Sequence, residues 1–106
     1  PLWLSPIQVM FIPVNNDVHG KYATKLQKKL VNMGIRAKID LTDNRLGYKI
    51  RNAQTHKIPY QIVIGDEEIN SKEKIITYRQ YGKKEEVKIP FSKFVAMIKK
   101  QIKQHK

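Results

Sequence analysis

The chain opens on a nearly unbroken apolar run, Ile7-Gln8-Val9-Met10-Phe11-Ile12-Pro13-Val14, followed by Asn15-Asn16-Asp17. A β-branched run closed by turn formers predicts a strand buried on both faces, with Pro13 near its end because proline cannot donate to a ladder. Over residues 19–33 the period changes: Tyr22 or Ala23, Leu26, Leu30 and Met33 recur at helical spacing, while Lys25, Lys28, Lys29 and Asn32 fill the other side. Asp17 is the candidate N-cap, and Gly34 stands where a helix end favours glycine. Residues 35–40 alternate at period two and predict a half-exposed strand. Leu46, Ile50 and Ala53 mark a second amphipathic helix starting near Asp43 or Asn44 and stopped by Ile58-Pro59, since the residue before proline avoids helical geometry.

Three further strands follow: residues 60–64 with a Gly65-Asp66 turn, residues 75–81 with a Gly82-Lys83-Lys84 turn, and a short edge strand over 87–89. A last helix begins at Phe91 or Ser92, with Phe94, Val95, Ile98 and Ile102 inward and Lys93, Lys99, Lys100 and Lys103 outward. The order β-α-β-α-β-β-(β)-α implies right-handed βαβ crossovers, a mainly parallel sheet with antiparallel strands added at one side, and helices on both faces. The expected fold is a three-layer α/β/α sandwich.

At 106 residues this is one small domain, large enough to bury a core. The absence of cysteine excludes disulfides, cysteine-based zinc sites and thiol chemistry. A formal net charge of +12 favours polyanionic partners, nucleic acid first and acidic membrane surfaces second. No apolar run approaches the roughly 20 residues needed to span a bilayer. The start, Pro1-Leu2-Trp3-Leu4-Ser5-Pro6, lacks a basic leader and an initiator Met, and reads as part of a longer chain or a processed product.

No convergent catalytic set is visible. His19, His56 and His105 fall in separate elements without metal-ligand spacing, and no phosphate loop, dinucleotide fingerprint or nucleophile elbow occurs. A phosphoryl switch would need paired acids after the first strand, where Asn15-Asn16 stand instead. Asp66-Glu67-Glu68 reads either as a solvated turn or as an acceptor cluster for base amines. Arg45, Lys49, Arg51 and Asn52, interleaved with Tyr48, are expected on exposed sides of the second helix, and Tyr78, Arg79 and Tyr81 repeat the mix on a strand. Arginine with tyrosine on one surface suits single-stranded RNA, neutralising phosphates and stacking on splayed bases. The competing reading is an ordinary lysine-coated surface, to which the lysines of the first and last helices mainly belong.

Several stretches together resemble the C-terminal anticodon-binding domain of bacterial threonyl-tRNA synthetases. They are the entry through Val9, Asp40-Leu41, Leu46-Gly47-Tyr48-Lys49-Ile50-Arg51-Asn52-Ala53-Gln54, Lys57-Ile58-Pro59-Tyr60, Ile64-Gly65-Asp66-Glu67-Glu68-Ile69 and Tyr78-Arg79-Gln80-Tyr81-Gly82. The resemblance covers nearly the whole chain in order. It implies a five-stranded mixed sheet with three helices, residues 1–106 forming a single anticodon-binding domain of a longer synthetase. Such a domain reads the anticodon loop of threonine tRNA, mainly its second and third bases. The residues it assigns to that task are Asp43, where the family commonly has Asn, with Lys49, Arg51, Glu68 and Arg79. Arg45, Tyr48, Asn52 and Tyr78 are further candidate contacts. Glu68 is expected to accept from a guanine edge, and Arg51 and Arg79 to donate to bases and phosphates.

By the same resemblance this chain has no catalytic residue, metal or cofactor of its own. The full ligase, a cytoplasmic homodimer without membrane contact, joins threonine to its tRNA with ATP, Mg and Zn in a catalytic domain. Three points stay open. Asp43 is either a base contact or a helix N-cap. The inward-reading strand position is Tyr78 or Arg79, because Ser71-Lys72-Glu73 and Gln80 disturb the register. Gly47 either lets RNA approach the helix N-terminus or only eases packing. The alternatives to the synthetase reading are a stand-alone accessory RNA- or DNA-binding protein of this fold and a small α/β enzyme.

Overall fold

A computed structural model describes residues 4–72, 74–83 and 85–104. Pro1, Leu2 and Trp3 of the family-like entry, Glu73 of the register-disturbing segment, Lys84 of the second turn and His105 lie outside the described residues. The elements run β1 (Val9–Pro13), α1 (Asn16–Asn32), β2 (Ala37–Ile39), α2 (Leu46–Thr55), β3 (Tyr60–Ile64), α3 (Asp66–Asn70), β4 (Ile75–Gln80), β5 (Glu86–Pro90) and α4 (Phe91–Lys103).

One five-stranded sheet is ordered β2-β1-β3-β4-β5. β1 pairs in parallel with β2 and β3, whereas β3–β4 and β4–β5 are antiparallel. This is the mixed sheet expected from the element order. Strand alternation divides the residues between the two faces. Val9, Phe11, Tyr60, Ile62, Ile64 and Ile76 join Leu26 and Leu30 of α1 and Phe94 and Ile98 of α4 in the larger core. On the opposite face Ile12 packs with Ala53 and Ile58, flanked by Met10, Leu46 and Ile50. Helices α1 and α4 therefore cover one face and α2 the other, giving three layers. The continuous apolar run of β1 is explained by this placement, because β1 is the strand with helices on both sides.

Several boundaries differ from the sequence expectation, each for a local reason. Asn15, not Asp17, caps α1: its Oδ1 accepts from the Asp17 and Val18 amides at 2.9 and 3.2 Å. Asp17 sits in the first turn, where its charge suits the helix dipole. Gly34 follows the C-cap Met33 with φ of +83°. The Gly34 amide donates to Val31 O and the Ile35 amide to Leu30 O, both at 3.0 Å, a Schellman closure. Helix α2 begins at Leu46 rather than near Asp43. The largest difference is α3, a one-turn helix where a plain turn was expected, which brings the helix count to four rather than three.

Candidate nucleic-acid interface

Helix α2 shields β1, and on the same face α3 meets the sheet beyond it, with Glu68 bonded to Thr77 of β4 and Glu67 to Lys88 of β5. Alternation from Val63 and Thr77 places buried Gln61, half-buried Arg79 and exposed Glu86 and Lys88 on this face of the sheet. The exposed side of α2 and the loop leading into it belong to the same layer. Arg45, the N-cap, has no side-chain capping bond and is exposed together with Tyr48 and Arg51, while Asn52 is half-buried. Tyr48 is 56% exposed, so its ring is offered to solvent although an aromatic normally seeks burial.

Asp43 is exposed two residues before the N-cap and caps nothing, which removes the capping alternative. Gly47 has ordinary backbone geometry, and a Cβ there would meet nothing within 4 Å. The strand ambiguity is also resolved. Tyr78 points to the larger core, 5.7 Å from the Tyr60 ring and 5.3 Å from Phe94, with its hydroxyl 3.8 Å from Met97 Sδ. It packs with the core, half-buried, where the sequence offered it as an RNA contact. Arg79 takes the α2 face, where its Nη2 pairs with Glu86 Oε1 at 2.5 Å. Among the described residues its buried Nε has no partner, and neither has the buried Oε1 of the cross-strand neighbour Gln61.

Two expected contacts are buried. Lys49 was expected on the exposed side of α2 but is only 2% exposed. Its Nζ donates to Asn16 Oδ1 at 2.9 Å, Asp40 O at 3.3 Å and Pro13 O at 3.4 Å. The reason is helical spacing: Lys49 shares the inward face with Leu46, Ile50 and Ala53, and its stem spans that face to reach carbonyls at the strand ends. Glu68, expected as a free acceptor for guanine, is 6% exposed with both oxygens engaged. Oε1 accepts from the Gly65 amide at 2.7 Å and Oε2 from the Thr77 hydroxyl at 3.0 Å. Glu68 thus closes the first turn of α3 and ties it to β4.

The solvated part of the acidic turn is Glu67, whose carboxylate meets Lys88 Nζ at 2.6 Å. Hydrogen bonding and charge from Lys88 hold the Glu67 carboxyl below its ordinary pKa and raise that of Lys88 in return. Asp66 accepts instead from His19, whose Nδ1 receives the Asn15 amide at 3.0 Å and whose Nε2 lies 2.8 Å from Asp66 Oδ1. That histidine is a strut between α1 and α3. His56 is exposed, its Nδ1 2.8 Å from Asn52 O. Asn16, which sequence reasoning passed over, proves central: its Nδ2 donates to Leu41 O at 2.7 Å and Thr42 O at 2.8 Å. An asparagine at a helix start was legible as a turn former, but its long-range partners were not.

Among the described residues no group of three or more His, Cys, Asp or Glu could hold a metal ion, and no helix is long and apolar enough to cross a membrane. An apolar cleft of about 680 Å³ opens between the amino-terminal segment and the end of α2, lined by Leu4, Pro6, Ile7, Met10 and Ile58 with Asn52, His56 and Lys57. Among the described residues no carboxylate lines it.

Residues 8–101 match the family model described as "Anticodon binding domain". A threonine–tRNA ligase of Ureaplasma parvum serovar 3 is 50% identical over 103 residues, which is 97% of this chain and 18% of that protein. Those of Acholeplasma laidlawii and Lactococcus lactis subsp. lactis are 44% and 47% identical over 96% and 92% of the chain, and 16% and 15% of their own lengths. The chain thus spans less than a fifth of these relatives. A crystal structure of the RNA binding domain of threonyl-tRNA synthetase from Cryptosporidium parvum Iowa II superposes with a TM-score of 0.85 at 23% identity, over 94% of this chain and 24% of that one, and shares the fold.

Proposed function

The chain belongs to the family of anticodon-binding domains, and from that premise we propose that it reads the anticodon loop of threonine tRNA as the recognition domain of a threonine–tRNA ligase. The observation that carries the proposal is the exposed Arg45, Tyr48 and Arg51 at α2, on the same side of the sheet as half-buried Arg79. Cations there neutralise phosphates, Tyr48 offers a stacking platform, and the guanidinium forks donate to base edges. Asp43 and Asn52 complete the proposed contact set, with Asp43 accepting from base amines. Glu68 and Lys49 support the surface from below, and Tyr78 belongs to the core behind it.

On this reading the partners are the anticodon stem-loop and the rest of a ligase chain, which acts as a homodimer in the cytoplasm. ATP, magnesium and zinc serve the ligase's catalytic part, where threonine is activated and transferred.

The test is a fluorescence-anisotropy titration with a threonine anticodon stem-loop and with one changed only at the second anticodon base, at low and near-physiological salt. The proposal expects a preference for the matched loop that survives added salt, because base contacts depend less on counterion release than phosphate contacts do. Equal binding that collapses with salt would instead leave a +12 chain attracted to any polyanion, and would favour the accessory nucleic-acid-binding reading.

A further inference from the structure

Lys49 presents an unusual arrangement: a fully buried ammonium with no carboxylate within 4 Å among the described residues. Burying a charge without a counter-ion is costly unless its donors are satisfied. Here they are, by acceptors from three separate segments: Pro13 O at the end of β1, Asn16 Oδ1 at the start of α1 and Asp40 O after β2. The network continues outward. Asn16 Nδ2 holds the Leu41 and Thr42 carbonyls. Asp40 Oδ1 accepts from the Thr42 amide at 3.0 Å and hydroxyl at 2.7 Å, and Asn44 Nδ2 donates to Thr42 Oγ1 at 3.0 Å. Every residue from Asp40 to Thr42 is thereby tied down, and the chain leaves this clasp directly into Asp43 and Arg45. The carbonyl ends of β1 and β2 meet α2 here around a polar crevice of about 180 Å³ lined by buried Lys49 and exposed Asp43.

We propose that Lys49 and Asn16 form a positioning clasp that fixes the 40–45 loop, so that Asp43 and Arg45 are presented to RNA in one geometry and the clasp confers selectivity between anticodon loops rather than general affinity. This rests on the anticodon-reading proposal above and specifies how that surface is set. A flexible loop with the same charges would still neutralise phosphate, whereas reading a base edge needs donors and acceptors at fixed places. The clasp acts through these residues and does not itself touch RNA.

Lys49→Met keeps the apolar stem and removes the donors. Backbone N–H order parameters of residues 41–45 should then fall from the rigid value of about 0.85 toward about 0.6, while those of β3 stay unchanged. Discrimination between the matched and second-base-changed stem-loops should narrow about tenfold, the worth of a good base contact, with binding to the mismatched loop unchanged. A folded Lys49→Met protein with an ordered loop overturns the proposal, and so does a mobile loop that still discriminates fully. Should Lys49→Met not fold, Asn16→Ala opens the clasp from its half-exposed side and is judged by the same two readouts. A wild-type chain without discrimination defeats the anticodon reading instead, and the order parameters alone then decide whether the clasp holds the loop.

Discussion

Individual side chains divide into those that face solvent for a partner and those that hold the partner's surface in place, and polarity alone does not separate them. Lys49 illustrates this: its spacing from Leu46, Ile50 and Ala53 already placed it on the inward stripe, but a lysine there reads as a solvated charge unless the carbonyls that receive it are known. Those carbonyls come from the end of β1 and from the residue after β2, which only the fold brings to α2. Glu68 is the same case in an acid, three residues after Gly65 at the position where a glutamate reaches back to the helix start. We expect Glu68→Ala to destabilise the domain by about 1–3 kcal/mol, the usual cost of leaving buried partners unsatisfied. Urea unfolding with an unchanged slope measures it, and Glu68→Gln, which retains an oxygen for the Gly65 amide, should lose less. Glu67 behaves oppositely. Lys88 lowers its pKa in the folded protein, so the pair's contribution is present above the unfolded-state pKa and disappears as pH falls through the folded one. NMR titration should find Glu67 below the usual carboxylate range and Lys88→Ala should return it there. Salt near 1 M, where the Debye length is about 3 Å, should do nearly the same, because the pair is exposed.

At the scale of elements, the strands and long helices were legible because burial imposes a period on them. The switch from the apolar β1 run to the 3.6-residue spacing of Ala23, Leu26 and Leu30 needs no knowledge of partners. Helix α3 has five residues and cannot display a period, so its acidic composition read as a turn. The edges of α1 show a similar contrast. Its end was announced by Gly34, since φ of +83° is open to glycine at little cost, whereas Asn15 and Asp17 are both good N-caps and composition does not choose between them. Gly34→Ala should cost about 1 kcal/mol, because a Cβ disfavours the left-handed region, or about 4–8 °C in Tm for a domain of this size. The penalty is conformational alone, because a Cβ there would touch nothing within 4 Å. A thermal unfolding scan of the variant beside the wild type checks it.

For the whole molecule, what the sequence leaves open is which face is free. Helices on both sides follow from the alternation of strands and helices, but the α2 face continues past α2 because β4 and β5 extend the sheet antiparallel, with α3 tied to Thr77 there while α4 returns to the other side. Charge does not point to that face, since lysines coat both. Lys93, Lys99 and Lys100 are exposed on α4, which packs against the larger core, in the layer opposite α2. A sequence-independent attraction should involve every cation near the RNA, whereas base reading should depend on Arg45 and Arg51 far more than on α4. We therefore expect Arg51→Ala to weaken matched-loop binding by about 1–3 kcal/mol and to erode discrimination. The Lys99→Ala, Lys100→Ala double variant should change matched and mismatched loops equally, through the salt dependence if at all. Anisotropy titrations over a salt series separate the two, because a lost phosphate contact flattens the slope of log affinity against log salt while a lost base contact leaves it in place. A selective loss in the α4 variant would put the RNA against the α1/α4 layer, where Tyr78 and Phe94 are already engaged in the core.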